Sequence, residues 1–262
     1  MKRILALLLS ILLMLSFCAL GEEAVGQYAF SEPTLRLLLA QVWTREPEAV
    51  SFVEAIAKNI LLELDADGRM RVSITIPNLN QIMPLAEKLA TGEDTGAKLF
   101  WSEDGDRLLL VAHANGGNAT TDLGAALGGD TLWISYGQRF QRVSGENGFA
   151  GVWEMDMSLV EQILAQANAP AEAQRLLSAA LIHLLLNEDG TIGIAFSFEI
   201  GAYHDGIVEY TESFGQLAGG ANGVTVIYVL DGDRLTLSST VVVDGVIQSI
   251  AETFYRVPQA SD

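Results

Sequence analysis

The chain has 262 residues, with 15 Lys and Arg against 33 Asp and Glu and a formal net charge of −18 at pH 7. A surface this negative repels phosphate backbones and anionic headgroups, which excludes nucleic acid as a partner and leaves solubility as the plain meaning of the charge. A single cysteine excludes a disulfide framework, so a length suited to two ordinary domains has to be held by a hydrophobic core.

The first segment, MKRILALLLSILLMLSFCALGEEA, is built like an export signal. Lys2 and Arg3 form a basic start, Ile4 to Phe17 is apolar apart from Ser10 and Ser16, and Ala19-Leu20-Gly21 offers small residues at the −3 and −1 positions of a cleavage site after Gly21. The apolar run is short for a bilayer span, which takes about 20 residues. The expectation is a signal peptide over 1–21 and a secreted or extracytoplasmic chain with no transmembrane segment. Loss of Lys2 and Arg3 would take the net charge from −18 to −20. The alternative is a lipid anchor on Cys18, because Leu15-Ser16-Phe17-Cys18 resembles a bacterial lipobox, with Phe17 standing where that box takes a small residue.

Beyond the leader, Gly26-Gln27-Tyr28-Ala29-Phe30 reads as a short strand. Ser31 can cap a helix with Pro33 in its first turn and Leu35, Leu38, Leu39 and Val42 on one face. A second helix starts near Pro47, with Val50, Val53, Ile56 and Ala57 at helical spacing. Met70, Val72, Ile74 and Ile76 alternate with polar residues, the period of a strand with one wet face, and such strands belong to antiparallel sheets. Further strands are expected over 98–101, 107–112 and 131–136. Gly151–Met155 opens a second series. Asp156 or Ser158 caps a helix carrying Leu159, Ile163 and Leu164, and Pro170 starts another with Leu176, Leu177 and Ala180. Ile192, Ile194, Phe196, Phe198 and Ile200 alternate on one face, and strands follow over 224–230, 234–243 and 246–257. Asp-Gly pairs at 67–68, 104–105, 189–190, 231–232 and 244–245 mark hairpin turns.

The two series look like copies. Gly26–Phe30 faces Gly151–Met155, 125 positions on, and Leu39-Ala40-Gln41 faces Leu164-Ala165-Gln166 at the same offset. Leu61–Gly68 faces His183–Gly190 at 122, the pentapeptide DGDRL of Asp104–Leu108 recurs at Asp231–Leu235 at 127, and Phe140-Gln141-Arg142-Val143 faces Phe254-Tyr255-Arg256-Val257 at 114. Five collinear landmarks predict a tandem repeat, with modules 22–145 and 146–262 divided in the polar, Gly-rich run Ser144–Gly148.

Gly151-x-Trp153 on a first strand, followed by hairpins and Phe254-x-Arg256 on a last strand, resembles the lipocalin-like (calycin-type) domains of exported bacterial proteins. The first copy carries a weaker version in Gly26-x-Tyr28 and Phe140-x-Arg142. The resemblance implies a barrel or half-barrel in which Arg256 lies across Trp153, and Arg142 across Tyr28, as a cation–π lid. It also implies a small hydrophobic ligand. A helical insert this long after the first strand departs from the family pattern.

The search for chemistry yields no catalytic residues, no metal site and no cofactor. His113, His183 and His204 share no ligand spacing, and His183 among leucines reads as a boundary residue. Asp65-x-Asp67-Gly68 begins like a calcium loop, but Arg69, Arg71 and the missing distal Glu make it a turn. No nucleophile elbow or Ser-x-x-Lys motif is present. The expected fold is α+β, mainly antiparallel β, in two tandem lipocalin-like modules, each with a helical insert after its first strand. The expected function is a secreted or envelope-associated, non-enzymatic binding module for a hydrophobic small molecule, lined by Trp101, Trp133, Tyr136, Phe196, Phe198, Tyr210 and Tyr228 with Tyr203-His204-Asp205 as polar rim. The alternative is a structural or interaction protein of the cell envelope with a solid core and no ligand.

Overall fold

The computed structural model describes residues 24–34, 47–93, 96–114, 117–135, 137–145, 148–166, 171, 174–175, 179–204, 207–211, 226–243 and 246–258. The export segment, Cys18, the helix over 35–42, most of the helix after Pro170, Tyr136 and Asp205 lie outside the described residues.

In chain order the elements are β1 (Gly26–Phe30), α1 (Pro47–Ala57), β2 (Ile60–Leu64), β3 (Arg69–Ile76), a 3-10 turn (Leu79–Gln81), α2 (Met83–Thr91), β4 (Lys98–Asp104), β5 (Arg107–Ala114), β6 (Gly117–Asp122), β7 (Ala126–Gly128), β8 (Thr131–Ile134), β9 (Gln138–Ser144), β10 (Gly151–Met155), α3 (Ser158–Gln166), β11 (Leu181–Leu186), β12 (Ile192–His204), β13 (Ile207–Tyr210), β14 (Val226–Asp231), β15 (Arg234–Val243) and β16 (Val246–Arg256). The fold is mainly antiparallel β, as the alternation required. On β3, Met70, Val72, Ile74 and Ile76 are all buried, and the one buried polar residue among them, Ser73, donates to Glu63 Oε1 at 2.8 Å. Gly68, Gly105, Gly190 and Gly232 all take positive φ in their turns. Ser31 Oγ accepts from the Thr34 amide at 3.3 Å, the capping geometry expected of it, and Asp156 Oδ1 accepts from Ser158 N at the start of α3. β2 and β11 carry apolar runs, Ile-Leu-Leu-Glu-Leu and Leu-Ile-His-Leu-Leu-Leu, that show no alternation, so neither declares itself a strand by its period.

Among the described residues the strands form one sheet of thirteen, in the order β13-β14-β15-β16-β1-β2-β3-β12-β11-β10-β9-β8-β7, beside a three-stranded sheet β4-β5-β6. β12 is the hinge of this arrangement. One edge pairs with β3 from Ile194 to Ala202; the other pairs with β11 from Ile192 to Ser197 and then with β13 from Gly201 to His204. The pairings therefore run in a ring, β12-β13-β14-β15-β16-β1-β2-β3-β12. Among the described residues its last link, β13 to β14, is the pair Ile207↔Ile227.

The two ends of the chain make one lobe and its middle makes the other. β1 pairs with β16, bringing Tyr28 opposite Arg256, while β9 and β10, on the two sides of the 145/146 boundary, pair with each other. The packing follows the pairing. One core joins Tyr28, Ile60, Leu62, Met70 and Val72 to Ile200, Leu235 and Phe254; a second joins Trp101, Leu108, Leu132, Phe140 and Phe149 to Trp153, Leu186 and Ile192. The expected cation–π partners are thus exchanged. Arg142, not Arg256, lies over Trp153, at 4.1 Å from the ring centroid, and Arg256 lies over Tyr28, at 5.1 Å.

The two lobes make the same contacts. Trp153 Nε1 donates to the Phe149 carbonyl at 2.8 Å, and Tyr28 Oη to that of Ala24 at 2.7 Å. Arg142 donates to the carbonyls of Gly148 and Ala150, and Arg256 to that of Val25. The Trp101 amide donates to the Gly190 carbonyl and the Tyr203 amide to the Gly68 carbonyl, both at 2.8 Å. The side chains of Trp101 and Tyr203 donate to the carbonyls of Asn187 and Asp65. Gly68 and Gly190 are 122 positions apart, as are Ile74 and Phe196, which face each other across β3 and β12. This correspondence separates the two DGDRL copies. The Arg142 amide donates to Asp130 O and the Arg256 amide to Asp233 O, which matches the β14–β15 turn to the β7–β8 turn; the β4–β5 turn, bearing the first DGDRL, matches the β12–β13 turn instead. The repeated pentapeptide is the same turn chemistry at two places that do not correspond.

Two measurements check this arrangement. A double-mutant cycle on Trp153→Phe and Arg142→Met should give a coupling of about 0.5–2 kcal/mol by urea unfolding, the range of a cation–π contact. The cycle on Trp153→Phe and Arg256→Met should be additive. Gly193→Ala should cost roughly 1–3 kcal/mol, because the new Cβ would stand 2.4 Å from the Pro77 carbonyl oxygen.

Candidate functional site: a carboxyl inside the ring

The register at the end of β16 fixes which of its side chains point inward. Arg256 is held over Tyr28, so Phe254 faces the interior opposite Leu235, and Glu252, two residues earlier, faces it opposite Leu237. Leu235, Leu237 and Phe254 are essentially inaccessible, and Glu252 is only 7% exposed. Its Oε2 is fully enclosed and has no hydrogen-bond partner among the described residues.

Beside Glu252, the β16 backbone is clasped by the segment leaving β1: Ser31 N and Thr34 Oγ1 donate to Thr253 O at 2.9 and 3.2 Å, and Thr253 N donates to Thr34 Oγ1 at 3.0 Å. Ser31 Oγ donates to Thr34 Oγ1 at 2.9 Å, so both buried hydroxyls are used. Burial alone pushes the Glu252 carboxyl up to about 8. A buried polar atom without a partner costs roughly 1–3 kcal/mol, and Glu252 is the one carboxyl among the buried residues described.

Where β13 meets β14, the paired Ile207 and Ile227 are 43% and 60% exposed, and Val229 further along β14 is 60% exposed. These exposed apolar side chains lie on the wall of the ring that includes β16 and Glu252.

The residues expected to line a ligand site do not converge. Phe196, Phe198 and Tyr210 belong to the core of the ring. Trp101 is buried in the other lobe, and Trp133 is a surface residue, 43% exposed, with its indole packed over Gly128. Tyr228 lies on β14 opposite Leu237, and its side chain is outside the described residues. Tyr203 is not a rim residue: it is buried and its hydroxyl donates to the Asp65 carbonyl. His183 Nε2 lies 3.3 Å from Glu154 Oε2, and the His113 ring sits against Phe100. Among the described residues no three His, Cys, Asp or Glu side chains gather as metal ligands, and no helix is long and apolar enough to cross a membrane. Asp67 is engaged by Arg69, whose hydrogen bond holds its carboxyl below the usual range, in the turn predicted there. A depression of about 580 Å³ opens on the surface among Glu161, Ala165, Gln174, Arg175 and Ala179.

Glu252 escaped sequence reasoning, although a signal was there. Once Phe254-x-Arg256 is read as the inward end of a last strand, the period of two puts residue 252 on the same inward face. No protein-family model matches the chain, and no curated protein matches it.

The carboxyl gives stability a pH dependence of definite sign. Unfolded, Glu252 titrates near 4.5; folded, near 8. Between these values the folded chain holds a proton that the unfolded chain has released, so stability is complete below about pH 4.5 and falls as pH rises to about 8. At about 1.4 kcal/mol per unit of displacement, the loss amounts to a few kcal/mol. The aspartates with lowered values, Asp67, Asp122, Asp156 and Asp189, act only at more acid pH and leave this window clear. Urea midpoints should drop between pH 5 and pH 8 in the native chain and stay level in Glu252→Gln.

Proposed function

We propose that this is an extracytoplasmic, non-enzymatic binding protein that takes a small, mainly apolar molecule into the interior of the β1–β3 and β12–β16 ring. The observation that carries the reading is Glu252, an enclosed carboxyl with an unpartnered oxygen among apolar side chains. Binding sites commonly combine an apolar lining with one or a few placed polar groups. The exposed Ile207, Ile227 and Val229 on β13 and β14 offer an apolar approach of matching character. Export follows from the basic start at Lys2 and Arg3, the apolar run to Phe17 and the Ala19-Leu20-Gly21 site. The matched contacts of the two lobes support descent from a duplicated lipocalin-like unit, with the aromatic–arginine lids passed between the copies. Of the two lobes, the one enclosing Glu252 is the binding lobe.

Titration of the purified exported chain with the neutral fluorophore N-phenyl-1-naphthylamine should give saturable enhancement at about one probe per chain. Bulky Ile200→Trp, which fills the interior, should abolish it while the circular dichroism spectrum is retained. Absence of probe binding together with an empty native mass spectrum would remove the reading.

A further inference from the structure

We infer that the ring interior is a site for a cationic amphiphile, an apolar body whose ammonium group meets the carboxyl of Glu252. The inference rests on the binding reading above and adds the charge class of the ligand. Four observations lead to it. The Oε2 atom is enclosed and has no partner among the described residues. The hydroxyls of Ser31 and Thr34 are spent on each other and on the β16 backbone. The guanidinium on the same strand, Arg256, is turned to the Val25 carbonyl and the Tyr28 ring. Among the described residues no charged side chain acts on the Glu252 carboxyl, and burial is what displaces its titration.

A carboxyl so placed can stay protonated with one oxygen unsatisfied, or it can receive a donor from outside the chain. An ammonium supplies both the opposite charge and N–H donors, and a charge-assisted pair is the stronger kind of hydrogen bond. An alcohol supplies one neutral donor. A fatty-acid carboxylate supplies none and places like charge against like. A chain of net charge −18 raises the local concentration of cations and lowers that of anions. The ligand enters as R–NH3+, the neutral carboxyl loses its proton to the buffer, and the pair R–NH3+···−OOC remains.

The test uses the exported chain and three competitors of equal length, dodecylamine, dodecanol and dodecanoate, displacing N-phenyl-1-naphthylamine. At pH 6.5 the amine should compete at least tenfold better than the alcohol, with the carboxylate weakest. Glu252→Gln should shrink the amine's advantage over the alcohol to less than about threefold. Calorimetry of native protein in two buffers of different ionisation enthalpy should report release of about one proton per amine bound, a readout that does not depend on the variant folding. Equal competition by amine and alcohol, an advantage that survives Glu252→Gln, or binding without proton release overturns the cationic site and leaves the apolar-binding reading standing. Failure of the naphthyl probe itself to bind overturns both.

Discussion

Ile74 lies opposite Phe196 in the antiparallel pairing of β3 and β12, and nearly every other feature of the molecule is placed by that register. β12 is long enough to serve two neighbours on its far edge, β11 first and β13 afterwards. Its first half therefore belongs to one lobe and its second half to the other. A chain that divided into consecutive modules would need each first strand to meet the last strand of its own module. Here the β3–β12 junction draws the chain ends into one lobe, so β1 meets β16, while the middle of the chain folds back on itself with β9 against β10. Each lobe then sets an arginine over an aromatic ring and ties that ring's polar atom to a carbonyl four residues upstream.

The lids have a consequence for the interior. Holding Arg256 over Tyr28 fixes the phase of β16, because a one-residue slip would turn every side chain to the opposite face. That phase sends Phe254 and Glu252 inward and leaves Tyr255 outside, half exposed. An acidic residue buried without a partner among the described residues is the kind of local conflict that a sequence under selection for stability alone would shed.

Much of the architecture could be read along the chain. The alternation over Met70–Ile76 and Ile192–Ile200 declared one-faced strands, and both lie where expected, on β3 and β12. The Asp-Gly turns at 67–68, 104–105, 189–190 and 231–232 were legible for the same local reason, since positive φ is a property of the residue and its neighbours. The site was less legible. Aromatic residues on strands drew attention as ligand contacts, yet Trp101 and Tyr203 are spent on tying turns together and Trp133 on covering Gly128. Aromatic content marks a need for burial or packing, and it does not say on which side of which wall that need is met.

The sequence by itself determined the strand faces, the turns and the negative surface, because each follows from a short-range periodicity or from composition, while the aromatic–arginine lids are implied only by the lipocalin-like resemblance. Only the tertiary structure decided that Arg142 covers Trp153 and Arg256 covers Tyr28, that the two DGDRL turns do not correspond, and that Glu252 stands alone inside. The physical reason is common to all three. With two nearly identical sets of local signals, the free energy that selects a partner comes from pairing strands more than a hundred residues apart, and nothing in either short motif carries that choice.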